Sequence, residues 1–195
     1  LLAGETPPEF VSIQEGGVRL YADLYRGQKT GLFLDQRNNR FQLQRLAAGK
    51  TVLNLFSYSA GFSAHAHRGG ATRTLDVDIS PRVFPSARRN LDANRPDGSS
   101  ADLLCTDVFG FVDHLADQGA RYDIVVCDPP SLLRKHNQLK QAMGVYTKLN
   151  RNALRLVNDG GFLVTASCSN RVSQEDFFQI IRHAATGARV RPRIL

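Results

Sequence analysis

The sequence predicts an α/β protein: a doubly wound, mostly parallel sheet of Rossmann-like type, preceded by a small N-terminal β-hairpin subdomain. Two observations carry this. From Lys50 onward, short apolar segments alternate five times with longer segments of helical pattern. Those short segments are rich in Val, Leu and Ile with little polar alternation, as strands covered on both faces must be. Strands are expected at Thr51–Leu55, Thr72–Val77, Ala101–Cys105, Tyr122–Cys127 and Gly161–Ser167. Helices are expected at Phe62–Arg68, Pro81–Asn94, Phe109–Gln118, Leu139–Val157 and Ser173–Ala185. Consecutive β-α units of this kind join parallel strands through right-handed crossovers.

Taken in order, residues 10–26 alternate apolar and polar through Val11, Ile13, Val18, Leu20, Ala22 and Leu24, with Gly16-Gly17 between the two halves. That is a hairpin pattern. Gly31-Leu32-Phe33-Leu34-Asp35-Gln36-Arg37 follows, then a helical stretch to about Ala48. Pro81 suits a first helical turn, and Ser173 with Asp176 forms a capping-box pattern. After the fifth unit only Arg189–Leu195 remains, room for one more strand at most. The organisation expected is a hairpin linking subdomain over residues 1–30 and the main domain over 31–195, truncated at its C-terminus.

The chain has 195 residues, 42% of them apolar and 22% charged, the composition of a globular protein with a real core. No apolar run is long enough for a membrane span, and the N-terminus lacks the pattern of a signal peptide. Cys105, Cys127 and Cys168 are an odd number without metal-site spacing, which suits reduced thiols in the cytoplasm and neither a disulfide framework nor a metal. Lys and Arg exceed Asp and Glu by 25 to 18, a formal charge of +7 that favours a polyanionic partner, nucleic acid above all.

Ligands of doubly wound sheets bind beyond the C-terminal strand ends, where the strand order switches. Four such ends carry distinctive residues here. After the first comes Asn54-Leu55-Phe56-Ser57-Tyr58-Ser59-Ala60-Gly61, a turn of small residues in which Gly61 is able to adopt a conformation closed to others. After the second stands Asp78, able to accept from two ribose hydroxyls; after the third, Asp107, placed to meet an adenine amino group. After the fourth comes Asp128-Pro129-Pro130-Ser131. Singly, each also reads as structural: Gly61 as a packing glycine, Asp78 and Asp107 as helix caps. Coincidence at four successive strand ends is harder to dismiss. A nicotinamide dehydrogenase would need G-x-G-x-x-G after the first strand, and the loop here lacks that spacing and contains Tyr58.

Phe56-Ser57-Tyr58 with Gly61-Phe62-Ser63, Asp78-Ile79-Ser80, Asp128-Pro129-Pro130 and the string Gly31–Arg37 resemble the bacterial large-subunit ribosomal RNA cytosine-C5 methyltransferase family and its closely similar guanine-N7 domain. The resemblance runs from about Glu9 to Ala185. It implies a class I methyltransferase fold and S-adenosylmethionine as cofactor. It implies a cofactor site drawn from Phe33, Gln36, Arg37, Asn54, Phe56, Ser57, Tyr58, Gly61, Asp78, Ile79, Ser80, Asp107, Val108 and Asp128. It also implies ribosomal RNA as partner. In that family the hairpin links to an N-terminal RNA-binding PUA domain, which this chain does not contain. Ser59-Ala60-Gly61 departs from the commoner Thr-Gly-Gly, and Asn54 stands where many methyltransferases carry an acid.

Cytosine carbon 5 is a poor nucleophile, so its methylation needs a thiolate adding to carbon 6 and an acid hydrogen-bonded to the ring. Cys168, in Ser167-Cys168-Ser169 just past the fifth strand, resembles the family's nucleophile motif; its structural alternative is a small packed residue. Cys105 and Cys127 lie inside apolar strands and read as packing. Asp128 is the candidate acid, which requires a raised pKa. A flipped base needs an aromatic platform, for which Tyr146 and then Phe33 are candidates, though both read equally as core residues. Guanine N7 needs no thiol, and the related guanine domain carries asparagine at the position of Cys168. Cytosine is therefore favoured, with guanine-N7 methylation, or a cofactor- or RNA-binding fragment without activity, as alternatives. Arg134, Lys135, His136, Lys140, Lys148, Arg151 and Arg155 read either as a phosphate-contacting surface or as a solvated face. His65 and His67, two apart on a helix, receive no function.

Overall fold

A computed structural model describes residues 4–132 and 139–195. Strands β1 (Phe10–Glu15) and β2 (Val18–Asp23) pair antiparallel. Gly16 and Gly17 join them at φ 59° and 83°, the positive values a two-residue type I′ turn demands. A Cβ on Gly16 would lie 1.9 Å from Cε1 of Phe41, so the turn is also pressed against the next helix, α1 (Arg37–Leu46).

The main sheet holds β3 (Thr51–Leu55), β4 (Arg73–Asp78), β5 (Ser100–Cys105), β6 (Tyr122–Cys127) and β7 (Val157–Thr165). Their order is β5-β4-β3-β6-β7 and every neighbouring pair is parallel. The connecting helices are α2 (Gly61–Arg68), α3 (Phe84–Asp92), α4 (Val108–Asp117) and α5 (Leu139–Arg155), with α6 (Gln174–Ala188) after β7. The strand period of two divides the core. Leu53 and Leu55 pack with Val112 and Ala116 of α4 and Leu149 and Ala153 of α5. Val52, on the other face, packs with Leu43 of α1, with Ala47 just after it, and with Phe62 and Ala66 of α2. The doubly wound architecture expected from the sequence is the one observed.

The hairpin has no core of its own. Val18, Leu20 and Ala22 are buried with Leu32 and with Ala64 of α2. The outward edge of β2 is met by α3 and the turn after it: Arg19 N donates to Asn94 Oδ1 at 3.0 Å, and Tyr21 N to Asn90 Oδ1 at 2.6 Å. Two amides thus answer backbone groups that an edge strand would leave open.

Three boundaries differ from the sequence expectation. Residues 81–94 are not one helix: a 3-10 turn at Pro81–Val83 precedes α3, whose first turn holds Pro85, a residue without an N–H to donate. Strand β7 starts early because Val157 pairs with Tyr122; the ladder resumes at Phe162 opposite Ile124, and residues 158–161 bulge between them. After α6, capped by Arg189 at φ 58°, residues 190–195 form no strand. The capping box expected at Ser173 is present, Ser173 Oγ accepting from Asp176 N at 3.1 Å.

Candidate active site at the sheet switch point

The chain runs outward from β3 to β5 and returns at β6, so β3 and β6 flank the switch in strand order. The loops after them, Phe56–Gly61 and Asp128–Pro130, border the crevice where such sheets bind ligands.

The first loop is unusual. Phe56, Tyr58 and Ala60 all have positive φ, at 58°, 48° and 57°. Gly61, expected to carry the special conformation, instead opens α2 with ordinary helical backbone. Its small size answers a different need, since a Cβ there would sit 3.4 Å from Cδ of Arg40. Left-handed backbone in a non-glycine residue costs roughly 1–3 kcal/mol each. Several hydrogen bonds hold it. Ser57 N donates to Val77 O at 3.0 Å, Ala60 N to Ser57 O at 2.8 Å and Tyr58 N to Asp78 Oδ2 at 3.0 Å. Asp78 Oδ1 accepts from Ser80 N at 2.8 Å, so one carboxylate ties the ends of β3 and β4 together. Ser57 Oγ is buried without a hydrogen-bond partner among the described residues.

Other expected site residues are distributed around this loop. Phe33 packs edge-on to Tyr58 at 5.1 Å, with Lys29 Nζ 5.0 Å from its ring. Phe56 packs edge-on to Phe109. Ile79 is 65% exposed at the end of β4, an apolar surface facing solvent beside Asp78. Asp107 caps α4, its Oδ2 accepting from Gly110 N at 2.8 Å. Gln36 ends a 3-10 turn and accepts from Asn39 Nδ2, while the Arg37 guanidinium lies over Phe41.

Two expected contacts are corrected. Asn54 is buried and its amide donates to Asp76 Oδ1 at 2.8 Å and Ser63 Oγ at 3.1 Å, so its side chain serves the interior. Burial pushes the Asp76 carboxyl up to about 6 against the hydrogen bonds of Ser63 and Asn54. Val108 is also buried in the core under α4, leaving only its backbone for a ligand. Both follow from strand and helix phase: each side chain points inward at a position next to the crevice.

Across the crevice, Cys168 is exposed and its Sγ donates to Pro129 O at 3.7 Å. The fifth strand end and the Asp128-Pro129-Pro130 loop are therefore in contact. Burial raises the Cys168 thiol, and the charge of Asp128 raises it further, against Lys29. Asp128 itself is pushed up to about 6 by burial and by Asp35, opposed by Arg40. Cys127 is fully buried, and burial lifts its thiol far above the ordinary range. Cys105, expected to be packed, is exposed at the end of β5, its Sγ donating to Ile79 O at 3.6 Å.

Arg40 was not among the expected residues. It is buried on α1 in line with Leu43 and Ala47, where a guanidinium requires partners. Its Nε and Nη2 donate to Glu15 at 2.7 and 2.8 Å, and its Nη1 donates to Phe33 O at 2.8 Å. Desolvation opposes ionisation of Glu15, but Arg40 outweighs it and holds the carboxyl below the usual range. His65 Nε2 lies 3.0 Å from the same carboxylate. Burial drives that imidazole down to about 4, so it is neutral at pH 7. The spacing 40, 43, 47 was a legible signal that Arg40 sits on an apolar face.

Two further expectations change. Tyr146 is fully buried, its hydroxyl accepting from Ser167 Oγ at 3.2 Å, so it is a wall of the core and no open platform. Of the basic cluster, Lys148 pairs with Asp113 and Arg155 with Asp117, both on α4. Arg134, Lys135 and His136 lie outside the described residues. Among the described residues no group of His, Cys, Asp and Glu is placed to hold a metal ion, and no helix is long and apolar enough to cross a membrane.

A sequence profile of S-adenosylmethionine-dependent methyltransferases matches residues 1–189. The chain belongs to this family. It is 39% identical over 187 residues to a protein of Cronobacter sakazakii named Ribosomal RNA large subunit methyltransferase I, covering 96% of this chain and 47% of that one. The protein of that name from Escherichia coli O139:H28 is 39% identical over 188 residues, covering 96% and 48%. The chain thus spans about half the length of these curated relatives. Among solved structures, a putative SAM-dependent methyltransferase from Streptococcus mutans superimposes with a TM-score of 0.81 at 34% identity, covering 94% of this chain and 48% of that one. Another, a putative methyltransferase complexed with SAH, gives 0.82 at 34% identity, covering 93% and 48%. S-adenosylmethionine is the family's cofactor, and the crevice fits it. The unpartnered Ser57 hydroxyl, the Asp78 carboxylate and the exposed Ile79 side chain offer donor, acceptor and apolar surface side by side.

Proposed function

We propose that this protein methylates large-subunit ribosomal RNA at carbon 5 of a cytosine, with Cys168 as nucleophile and Asp128 as the ring acid. The observation that carries the reading is the contact between the Cys168 thiol and the Asp128-Pro129-Pro130 loop, at the mouth of the switch-point crevice. The relatives named ribosomal RNA large subunit methyltransferase I, and the +7 charge of the chain, support RNA as the acceptor.

The residues divide the work by environment. Asp78, Ser57 and the amides of the strained loop hold the cofactor, with Asp107 and Ile79 at its far end. When bound, S-adenosylmethionine supplies an electrophilic methyl group. Asp128, with its carboxyl pushed up to about 6, retains a proton fraction near neutrality and passes that proton to the cytosine ring as the Cys168 sulfur, its own proton lost to water, bonds to carbon 6. That bond places electron density on carbon 5, which takes the methyl. Loss of the carbon 5 proton to a base then returns the electron pair and expels the thiolate. Phe33, beside the crevice with its ring against Tyr58, is the aromatic surface for the extruded base. Pro129 and Pro130 fix the wall it meets.

Large-subunit RNA carrying 5-fluorocytosine tests this, because fluorine cannot leave as a proton. The wild type with S-adenosylmethionine should give an adduct that survives denaturing electrophoresis and maps to Cys168, and Cys168→Ala should give none. An adduct of undiminished yield from Cys168→Ala would overturn the assignment.

A further inference from the structure

The loop after β3 holds three non-glycine residues at positive φ, and its hydrogen bonds are not all local. Three ties reach it from the N-terminal segment, each at a different point. Arg40, charged against Glu15 at the hairpin turn, donates to Phe33 O and abuts Gly61. Gln28 N donates to Tyr58 Oη at 2.9 Å. Asn90, fully buried on α3, is the third: its Oδ1 accepts from Tyr21 N of β2 at 2.6 Å, and its Nδ2 donates to Ser59 O at 2.8 Å. Both partners fix the orientation of that amide, since Tyr21 N can only donate and Ser59 O can only accept.

We infer that the hairpin is a brace for the cofactor loop and that Asn90 is the positioning residue that couples them. This rests on the assignment of residues 56–61 to the cofactor. Hydrogen bonds at Tyr58 and Ser59, with the Arg40 side chain packed beside Gly61, hold the loop in its strained trace before the cofactor arrives, which removes an ordering cost from binding. The hairpin thereby belongs to the methyl-donor site and is more than a spacer along the chain. Asn94 makes the contrast. It joins the same strand edge to the turn after α3, accepting from Arg19 N and donating to Arg19 O and to the backbone carbonyl of Asn90, and makes no hydrogen bond to a loop residue.

The test compares Asn90→Asp, Tyr58→Phe and Asn94→Ala for S-adenosylmethionine affinity by calorimetry and for thermal unfolding without ligand. Asn90→Asp keeps an acceptor for Tyr21 N but turns a second acceptor toward Ser59 O. Tyr58→Phe removes the oxygen that receives Gln28 N at a half-exposed position, so the fold survives it. Each should raise Kd roughly fivefold or more, the scale of one hydrogen bond. In a transfer assay of Asn90→Asp, KM for the donor should rise while kcat stays close to the wild type. Asn94→Ala should lower the unfolding temperature and leave Kd unchanged. Unchanged Kd in both Asn90→Asp and Tyr58→Phe, or an equal rise in Asn94→Ala, overturns the brace. Because donor binding is measured without RNA, a wild type that binds donor but modifies no RNA would count against the proposed function and leave the brace standing.

Discussion

Asp78→Ala removes a carboxylate that organises the loop after β3 and that the proposed function assigns to the methyl donor. In the free protein it accepts from Tyr58 N at 3.0 Å and Ser80 N at 2.8 Å, using one lone pair on each oxygen. The remaining lone pairs are available to ribose hydroxyls. Hydrogen bonds to a charged acceptor contribute roughly 1.5–3 kcal/mol each. The half-buried setting of Asp78 lets water replace part of the backbone bonds, so the loss in affinity should fall in that range for the site as a whole. That corresponds to about a 10- to 150-fold rise in Kd for S-adenosylmethionine. Asp78→Asn should give a smaller loss if its oxygen faces Ser80, because Nδ2 would then oppose Tyr58 N, a single donor clash. Calorimetry on the folded variants, with circular dichroism to confirm the fold, measures both. Wild-type affinity in Asp78→Ala would remove this carboxylate from the donor site and with it the reading of the β4 end.

Other consequences follow from the buried charges. Glu15→Gln leaves the Arg40 guanidinium buried without its counter-charge and should destabilise the fold by about 3–5 kcal/mol in urea titration; a change under about 1 kcal/mol would show that the pair is dispensable. Asp128→Asn removes a charge that holds the Cys168 thiol up, so at fixed mildly alkaline pH Cys168 should alkylate several-fold faster, read by peptide mapping against exposed Cys105 and buried Cys127. An equal or slower rate would contradict the coupling. For Asp76, a folded pKa raised from 3.8 to about 6 means the native state binds the proton more tightly than the unfolded chain. Stability from this group is therefore greatest at acid pH, falls as pH rises from about 4 to about 6, and is level above. Asp76→Asn should gain stability relative to wild type across that window, and parallel stability profiles for the two proteins would refute the shift.

Much of the fold was legible because its signals are local. Five apolar segments of Val, Leu and Ile read as buried strands, and Ser173 with Asp176 announced the start of α6. The strand ends carrying Asp78, Asp107 and Asp128 could be placed in one crevice by topology alone. What failed depended on tertiary phase. Asn54 and Val108 adjoin site residues in sequence, yet strand pleat and helix turn send their side chains inward. Of the two readings open for Tyr146, platform or core, burial on α5 against Ser167 and Phe177 selects the core. The positive φ values fell on Phe56, Tyr58 and Ala60, where no glycine marked them, in a loop that also meets partners distant in sequence. Those partners, Arg40 and Asn90, are 25 and 69 residues from the hairpin groups they meet, a relation no local pattern encodes.

The central claim is that a thiol at the β7 end and a carboxyl at the β6 end act together on cytosine. Nucleoside mass spectrometry of large-subunit RNA after incubation with isotopically labelled S-adenosylmethionine tests it most directly, with wild type and Cys168→Ala in parallel. The prediction is labelled 5-methylcytidine with the wild type, none with Cys168→Ala, and donor affinity equal in the two. Labelled 7-methylguanosine, formed at the same rate by both proteins, would contradict it.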